Sequence, residues 1–335
     1  MKIAILERNS VGLDIDVTRY EDFGDVTVYA NTVTEEEVAQ RVAEADIIIA
    51  NKAPLNERSL KDAKNVKLIT NFATGYDSVD IEYCKKRGIT FCNIRDYATE
   101  MVAQHTFALA LYVMEHLSYY DEYVKSGAYA AQDRFSHFDQ TFTEIAGKTW
   151  GIAGMGNIGK RVARIAEAFG AKVITFSTSG KPVTTETAPA GGTDPASGEA
   201  KDYPRVDFDT FLKESDIISV HCPLTDRTRD LFDTEAFSKM KQTAVIVNVA
   251  RGPVINEEAL AKALKENKIA GAGLDVLTKE PIRKDSPLYD FKDSKRLLIT
   301  PHMAWASVEA RERCCQQVYE NIDGFLKGKP VRVVV

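Results

Sequence analysis

The chain has 335 residues, which is too long for one ordinary hydrophobic core and is typical of two domains. Its net charge of −6 argues against a general nucleic-acid or anionic-membrane surface. No apolar run approaches the ~18–20 residues of a membrane span. We therefore expect neither nucleic acid nor a membrane among its partners.

The five cysteines form no CxxC pair and no metal-ligand spacing. The opening segment "MKIAILERNS" has too short an apolar part for a signal peptide. An odd number of cysteines in a large chain favours reduced thiols, so we expect a cytoplasmic protein without a bound metal.

Short β-branched runs alternate with amphipathic segments in the first hundred residues. A helix over 34–45 is predicted to open with a capping box, formed by Thr34 and Glu37. A second helix, over 78–88, ends in a glycine suited to a helix stop. This alternation is typical of a parallel sheet covered by helices on both faces. The predicted strands are residues 2–6, 46–50, 67–71 and 89–92.

The same alternation restarts near residue 149, which predicts a second α/β unit in tandem with the first. Its clearest helix covers residues 256–267. Residues 178–205 are rich in Pro, Gly, Thr and Ala, and we expect a long loop there. The predicted strands are residues 149–154, 171–176, 216–221, 243–249, 269–276 and 296–300.

Two long helices are predicted to join the units. The first covers residues 100–126, with Thr99 as a possible N-cap, and the second covers residues 306–327. If the second helix packs back on the first unit, that unit is discontinuous. The predicted domains are therefore residues 1–100 plus 304–335, and residues 101–303.

The segment "GIAGMGNIGKRVARIAEAFG" (151–170) carries three glycines in the order GxGxxG, between a predicted strand and a predicted helix. Gly154 permits a tight turn, Gly156 lets a pyrophosphate approach the backbone, and Gly159 lets helix and strand pack closely. The helix N-terminus would face the phosphates with free N–H groups. This context favours a dinucleotide site over a tight turn without a ligand.

Three polar residues, Arg251, Glu280 and His302, each follow a predicted strand of the second unit. Each alone has an ordinary structural explanation, but ligands of open α/β sheets bind outside the carboxyl ends of the strands. An arginine can hold a carboxylate, and a Glu–His pair can present a protonated imidazole. Together with a nicotinamide, these groups would form a site for reducing a 2-keto acid.

Six segments form a specific set of motifs, and with them essentially the whole chain resembles the D-isomer-specific 2-hydroxyacid dehydrogenases. The resemblance implies two Rossmann-like, doubly wound parallel-sheet α/β domains with an active-site cleft between them. The discontinuous domain would be the substrate domain, and the other would bind the dinucleotide. The motifs are "ATGYDSVDIEYCKKRGITFCNI" (73–94), "GMGNIG" (154–159), "HCPLTDRT" (221–228), "NVARGPVINEEAL" (248–260), "GLDVLTKEP" (273–281) and "TPHMAW" (300–305).

The resemblance also implies residue roles. Arg251 would bind the substrate carboxylate, and His302 would be the general acid, oriented by Glu280. Thr74 and Gly75 would offer backbone N–H groups to the same carboxylate from the other domain. The residues assigned to the cofactor, NAD(H) or NADP(H), are Gly154, Gly156, Asn157, Ile158, Gly159, Ser177, Cys222, Pro223, Thr228, Val249, Ala250, Arg251 and Asp275.

Ser177 stands at the end of the second predicted strand of the dinucleotide domain, where NAD-specific folds carry an acidic residue. Thr178, Ser179, Gly180 and Lys181 follow, and no carboxylate is present to repel a 2′-phosphate. We therefore expect NADPH to be accepted at least comparably to NADH. The alternative is that backbone or water replaces the acidic contact and NAD still binds.

Trp305 and the segment "VAQHTFALAL" (102–111) resemble the hydroxypyruvate and glyoxylate reductases more than the D-lactate dehydrogenases. The function implied is the interconversion of a small 2-keto acid and its D-2-hydroxy acid. A D-lactate dehydrogenase and a cofactor-sensing binding protein stay open as alternatives. The family also forms dimers through its cofactor domains, with residues 127–146 as an arm. His105 is expected to be structural, and His221 to shape the cofactor wall.

Overall fold

The computed structural model describes residues 1–179, 187–193, 200–291 and 295–335, with the backbone alone over 187–193 and 200–201. The chain divides into two compact units. The first contains Met1–Ala98 and Trp305–Val335, and the second contains Thr99–Ala304.

The first unit contains a five-stranded sheet in which every strand pair is parallel. The order of the strands is β2-β1-β3-β4-β5. Its elements are β1 (Lys2–Ile5), β2 (Asp25–Val28), α1 (Glu35–Val42), β3 (Ile47–Ala50), α2 (Glu57–Leu60), β4 (Leu68–Asn71), α3 (Ile81–Arg87) and β5 (Thr90–Cys92), with short 3-10 turns at Arg8–Val11 and Thr18–Phe23.

Burial explains why these segments form strands, because all four residues of β3 and all four of β4 are buried. A parallel sheet covered on both faces requires such continuous apolar runs. The predicted capping box is confirmed: the Thr34 side chain accepts from the Glu37 backbone, and the Glu37 side chain accepts from the Thr34 backbone. Helix α3 ends at Gly88, whose φ of 65° is left-handed, as the sequence predicted.

The second unit contains a six-stranded parallel sheet, in the order β13-β12-β11-β10-β6-β7, and a separate two-stranded antiparallel sheet. Its elements are α4 (Thr99–Met114), α5 (Leu117–Lys125), α6 (Ala128–Ala131), β6 (Thr149–Ala153), α7 (Asn157–Ala168), β7 (Lys172–Phe176), β8 (Thr187–Thr193), β9 (Ala200–Pro204), α8 (Phe208–Glu214), β10 (Ile217–Val220), α9 (Thr234–Lys239), β11 (Val245–Asn248), a 3-10 turn (Gly252–Val254), α10 (Glu257–Lys265), β12 (Gly271–Leu274) and β13 (Leu297–Ile299).

The strand order of the larger sheet reverses at β6. From β6 the chain moves outward to β7, and it then returns to β10 on the other side of β6. Ligands of doubly wound sheets bind at such a reversal, outside the carboxyl ends of the strands. The predicted fold class, two doubly wound parallel-sheet units, is confirmed.

The last helix, α11 (Val308–Leu326), belongs to the first unit. Its buried Asn321 donates hydrogen bonds to the Thr70 hydroxyl on β4 and to the Asn93 carbonyl oxygen, both at 3.0 Å. The chain therefore closes its first unit with its last helix.

Two predicted elements are corrected by the structure. The helix predicted over 100–126 is two helices, because the chain breaks at His116, whose φ of 53° is left-handed. The loop predicted over 178–205 contains the antiparallel pair β8 and β9. Residues 180–186 and 194–199 of that prediction lie outside the described residues.

All five cysteines are buried free thiols. Burial raises the pKa of Cys84, Cys92 and Cys222 to about 11, so these thiols are protonated at neutral pH. Among the residues that the structure describes, no helix is long and apolar enough to cross a membrane. The same residues contain no cluster of His, Cys, Asp and Glu that could hold a metal ion.

Candidate active site

The glycine loop between β6 and α7 approaches its surroundings closely at two points. Gly154 has a φ of 101°, and a Cβ there would lie 2.8 Å from the backbone nitrogen of Cys222. A Cβ on Gly159 would lie 2.1 Å from the carbonyl oxygen of Gly154. These positions require glycine, and they give the turn and the helix–strand contact that the sequence predicted.

The glycine loop has open space next to Gly156. A Cβ on Gly156 would meet no atom within 4 Å. Helix α7 begins at Asn157 and Ile158, and its N-cap, Gly156, provides no side-chain hydrogen bond. A 12-residue helix with an uncapped N-terminus beneath open space fits a pyrophosphate, because backbone N–H groups and the helix dipole both favour an anion there.

The segment after β10 forms the neighbouring wall of this loop. Thr228 is buried, and its hydroxyl accepts from the Thr225 N–H and donates to the Pro223 carbonyl oxygen, both at 2.7 Å. That hydroxyl therefore closes the turn. Its predicted contact with the cofactor, like those of Cys222 and Pro223, stays a prediction.

His221 begins the same segment. Both of its ring nitrogens are buried, without a hydrogen-bond partner in the described part of the chain. Burial lowers the pKa of His221 to about 3, so the ring is neutral at physiological pH. A ring in this state is suited to shaping a wall and is unsuited to donating protons.

Arg251 follows β11 at the carboxyl edge of the sheet. The Asn248 side chain holds its segment by accepting from the Ala250 N–H at 3.0 Å and donating to the Arg251 carbonyl oxygen at 2.9 Å. Next to it, a Cβ on Gly252 would lie 1.9 Å from the carbonyl carbon of Leu277. This close approach brings the loop that carries Arg251 against the loop that carries Glu280.

Glu280 and His302 form a hydrogen-bonded pair. The distance from Nδ1 of His302 to Oε2 of Glu280 is 2.6 Å, and Oε1 of Glu280 accepts from the Leu277 N–H at 2.9 Å. The side chains of His302 and Glu280 are 30% and 35% exposed, so the pair remains open to a ligand. His302 has a φ of 54°, a left-handed conformation that needs support from its neighbours.

Asp275, at the end of β12, provides that support. Its carboxylate is 1% exposed and accepts from the Thr300 hydroxyl at 2.6 Å and from the N–H groups of Met303 and Ala304, both at 2.8 Å. Burial acts to raise the pKa of Asp275, but the hydrogen bonds outweigh it and hold the pKa below its ordinary value. The buried carboxylate thus holds the Thr300 side chain before His302 and the backbone directly after it.

Comparison with known proteins identifies the family. The family model described as "D-isomer specific 2-hydroxyacid dehydrogenase, NAD binding domain" matches residues 107–304. A glycerate dehydrogenase from Methylorubrum extorquens is 37% identical, over 99% of this chain and 98% of its own length. The chain belongs to the D-isomer-specific 2-hydroxyacid dehydrogenase family. It is therefore an oxidoreductase that acts on the CH–OH group of its donor and uses NAD(H) or NADP(H).

Solved structures agree with this membership. An acyclic imino acid reductase, in complex with NADPH and D-Arg, is 31% identical and superimposes with a TM-score of 0.83, with all of both chains covered. A D-lactate dehydrogenase from Aquifex aeolicus, complexed with NAD and lactic acid, is 28% identical with a TM-score of 0.79. The match covers 98% of this chain and 96% of that one.

His105 lies on α4, and the sequence analysis expected it to have a structural role. Its Nε2 lies 3.0 Å from the Thr300 hydroxyl and 3.5 Å from a carboxylate oxygen of Asp275. The sequence analysis missed this network and assigned Asp275 only to the cofactor, a contact that stays a prediction. The available signal was an acidic residue inside the otherwise apolar predicted strand 269–276.

In the first unit, Thr74 and Gly75 follow β4. The carbonyl oxygen of Thr74 accepts from the Asn93 side chain at 2.9 Å. Within the described part of the chain, the N–H groups of Thr74 and Gly75 donate no hydrogen bond. Their assignment to the substrate carboxylate stays a prediction.

The sequence analysis also missed Glu7, which follows β1 in the first unit. Its buried carboxylate accepts from the backbone N–H groups of Asn51, Lys52 and Ala53, at distances of 2.6 to 2.9 Å. Glu7 thereby fixes the loop that leaves β3, at the same edge of the sheet as Thr74.

We predict that Asp275→Asn destabilises the protein at neutral pH and does so less in acid. The folded pKa of Asp275 lies below the unfolded value of about 3.9, so its carboxylate stabilises the fold above that pH. This stabilisation is lost as the pH falls through the folded pKa. At pH 7 the free energy of unfolding should fall by about 2–3 kcal/mol.

The measurement is thermal unfolding of wild type and variant between pH 7 and pH 2. Asp285→Asn, which changes an exposed acid in the same unit, is the matched control and should unfold like wild type. A difference between wild type and Asp275→Asn that stays constant over this pH range would contradict the assignment.

Proposed function

We propose that this dehydrogenase reduces hydroxypyruvate to D-glycerate, or glyoxylate to glycolate, in the cytoplasm. The observation that carries the proposal is the 2.6 Å pair of His302 and Glu280, at the sheet edge that also carries Arg251 and the glycine loop. The glycerate dehydrogenase relative, 37% identical over nearly the whole chain, supports this choice of substrate. Five free cysteines support a reducing compartment.

Arg251 is the group that would hold the substrate. Arg251 is half-buried and follows β11, so it lies at the carboxyl edge of the sheet, and its Nη1 donates to the Ala250 carbonyl oxygen at 2.8 Å. A guanidinium matches a carboxylate with two parallel N–H···O bonds, and a keto oxygen next to that carboxylate lies within reach of the same donors. Arg251 would therefore both orient and polarise a 2-keto acid.

His302 is the group that would supply the proton. Glu280 engages Nδ1, so Nε2 is the ring nitrogen left to protonate the keto oxygen. The carboxylate also favours the protonated imidazole that a general acid requires. When bound, a reduced nicotinamide would supply the hydride for the keto carbon. His302 would supply, from Nε2, the proton that completes the hydroxyl group.

We predict that His302→Gln lowers kcat/KM for the keto acid by about 10²–10⁴-fold, because glutamine cannot donate a proton as an acid. NAD(P)H binding, measured by quenching of protein fluorescence, should stay close to that of wild type. Unchanged kcat with unchanged cofactor affinity would remove His302 from the mechanism.

We also predict that kcat/KM for hydroxypyruvate and glyoxylate exceeds that for pyruvate by about tenfold or more, which corresponds to ~1.4 kcal/mol. The measurement is NAD(P)H absorbance with these three acids and a branched 2-keto acid. A preference for pyruvate would favour the D-lactate dehydrogenase alternative, which the similarity to the Aquifex aeolicus enzyme supports. Cofactor binding without turnover of any acid would favour a cofactor-sensing binding protein.

The proposal includes a homodimer formed through the second unit. Residues 127–146 carry exposed aromatic side chains, among them Phe135 at 90% and Phe138 at 71% exposure. Apolar side chains concentrated in one segment mark an interaction surface more often than scattered ones do. In the proposed dimer, this arm would pack against a second copy of the chain.

We predict that wild type sediments as a dimer at micromolar concentration and that Phe135→Ser with Phe138→Ser shifts it toward monomer. Each change removes apolar area from the arm without touching a core. Val33→Ser, at a residue of the first unit that is 75% exposed, is the control and should leave the mass unchanged. A monomeric wild type, or a double variant that stays dimeric, would contradict the proposal.

A further inference from the structure

The turn after β7 lies where a dinucleotide fold meets the adenosine ribose of its cofactor. NAD-specific folds place a carboxylate there, whereas this chain has Ser177, Thr178 and Ser179. The hydroxyls of Ser177 and Ser179 lie 3.0 Å apart, so the turn brings two hydroxyl groups together. Gly180 and Lys181 lie outside the described residues.

The positively charged side chain of Arg227, in the segment that follows β10, reaches this turn. Nη1 of Arg227 donates to the carbonyl oxygen of Ser179 at 3.1 Å, although the two residues are distant in sequence. The exposed guanidinium has no carboxylate partner among the residues that the structure describes. The adjacent Asp226 is exposed, and within the described residues its carboxylate forms no ion pair with the Arg227 guanidinium.

The turn is also tied to the glycine loop. The Thr178 side chain lies near the Cys222 thiol, and the backbone of Cys222 packs against Gly154. The turn at 177–179 and the segment 222–227 therefore lie on either side of the loop that fits the pyrophosphate. The ribose of a dinucleotide held there would extend toward the two serine hydroxyls and the guanidinium.

We propose that Arg227, together with Ser177 and Ser179, recognises the 2′-phosphate of NADPH, and that this enzyme prefers NADPH to NADH. The inference rests on the proposed function, since it concerns the cofactor of that reaction. A guanidinium and two hydroxyls provide charge-assisted hydrogen bonds to a phosphate, and a ribose 2′-hydroxyl gains no comparable ionic contact. Arg227 is thus a specificity-determining residue that motif comparison alone does not identify.

The test measures kcat/KM for NADPH and for NADH with hydroxypyruvate, in wild type, Arg227→Gln and Arg229→Gln. Arg229 is exposed and two residues away, so Arg229→Gln removes the same charge without touching the turn. We expect wild type to favour NADPH by about tenfold or more, and Arg227→Gln to lower the NADPH/NADH ratio by about 10- to 100-fold. Arg229→Gln should keep the wild-type ratio, and Ser177→Asp should reverse it.

A second measurement does not depend on turnover. Calorimetry compares 2′,5′-ADP with 5′-AMP, two nucleotides that differ by the 2′-phosphate. Wild type should bind 2′,5′-ADP more tightly, and Arg227→Gln should lose that difference. A wild type that favours NADH, or an Arg227→Gln variant with the wild-type ratio, would overturn the inference and leave the proposed reductase intact. Arg227-dependent binding of 2′,5′-ADP without keto-acid reduction would overturn the proposed function alone.

Discussion

The buried carboxylate of Asp275 is the constraint on which the catalytic edge of this dehydrogenase depends. A charge that is 1% exposed is tolerated only when hydrogen bonds replace its water, and the segment 300–304 supplies them. Those bonds hold His302 in a left-handed conformation that an isolated chain would rarely adopt. The position of His302, the proposed proton donor, is therefore set by a residue that has no part in the proposed proton transfer.

Close contacts between backbone segments also fix the neighbouring loops at this sheet edge. Gly154 packs against Cys222, and Gly252 packs against Leu277, at distances that exclude any side chain. The loop after β6 is thereby held against the loop after β10, and the loop after β11 against the loop after β12. One edge of one sheet then carries an uncapped helix N-terminus, a guanidinium and a Glu–His pair. The proposed hydride reduction of a 2-keto acid uses all three.

Prediction from pattern failed where the pattern was absent or misleading. Strand β2 lies at the sheet edge with none of its four residues buried, so it has no apolar run to mark it. The break between α4 and α5 occurs at His116 without a proline or glycine to signal it. Helix α4 is packed in the core, whereas α5 has no buried residue, and this change of environment accompanies the break.

The sequence by itself determined the two parallel-sheet units and the glycine loop, and it placed Arg251, Glu280 and His302 after strands, because each of these follows from local periodicity or a short motif. Only the tertiary structure decided how Asp275 is used and where Arg227 points. Both depend on contacts between loops far apart in the chain, such as that of Arg227 with Ser179. Local patterns predict which residues are buried. The partners of side chains at a sheet edge depend on which strands pack side by side, and the chain brings those strands together only on folding.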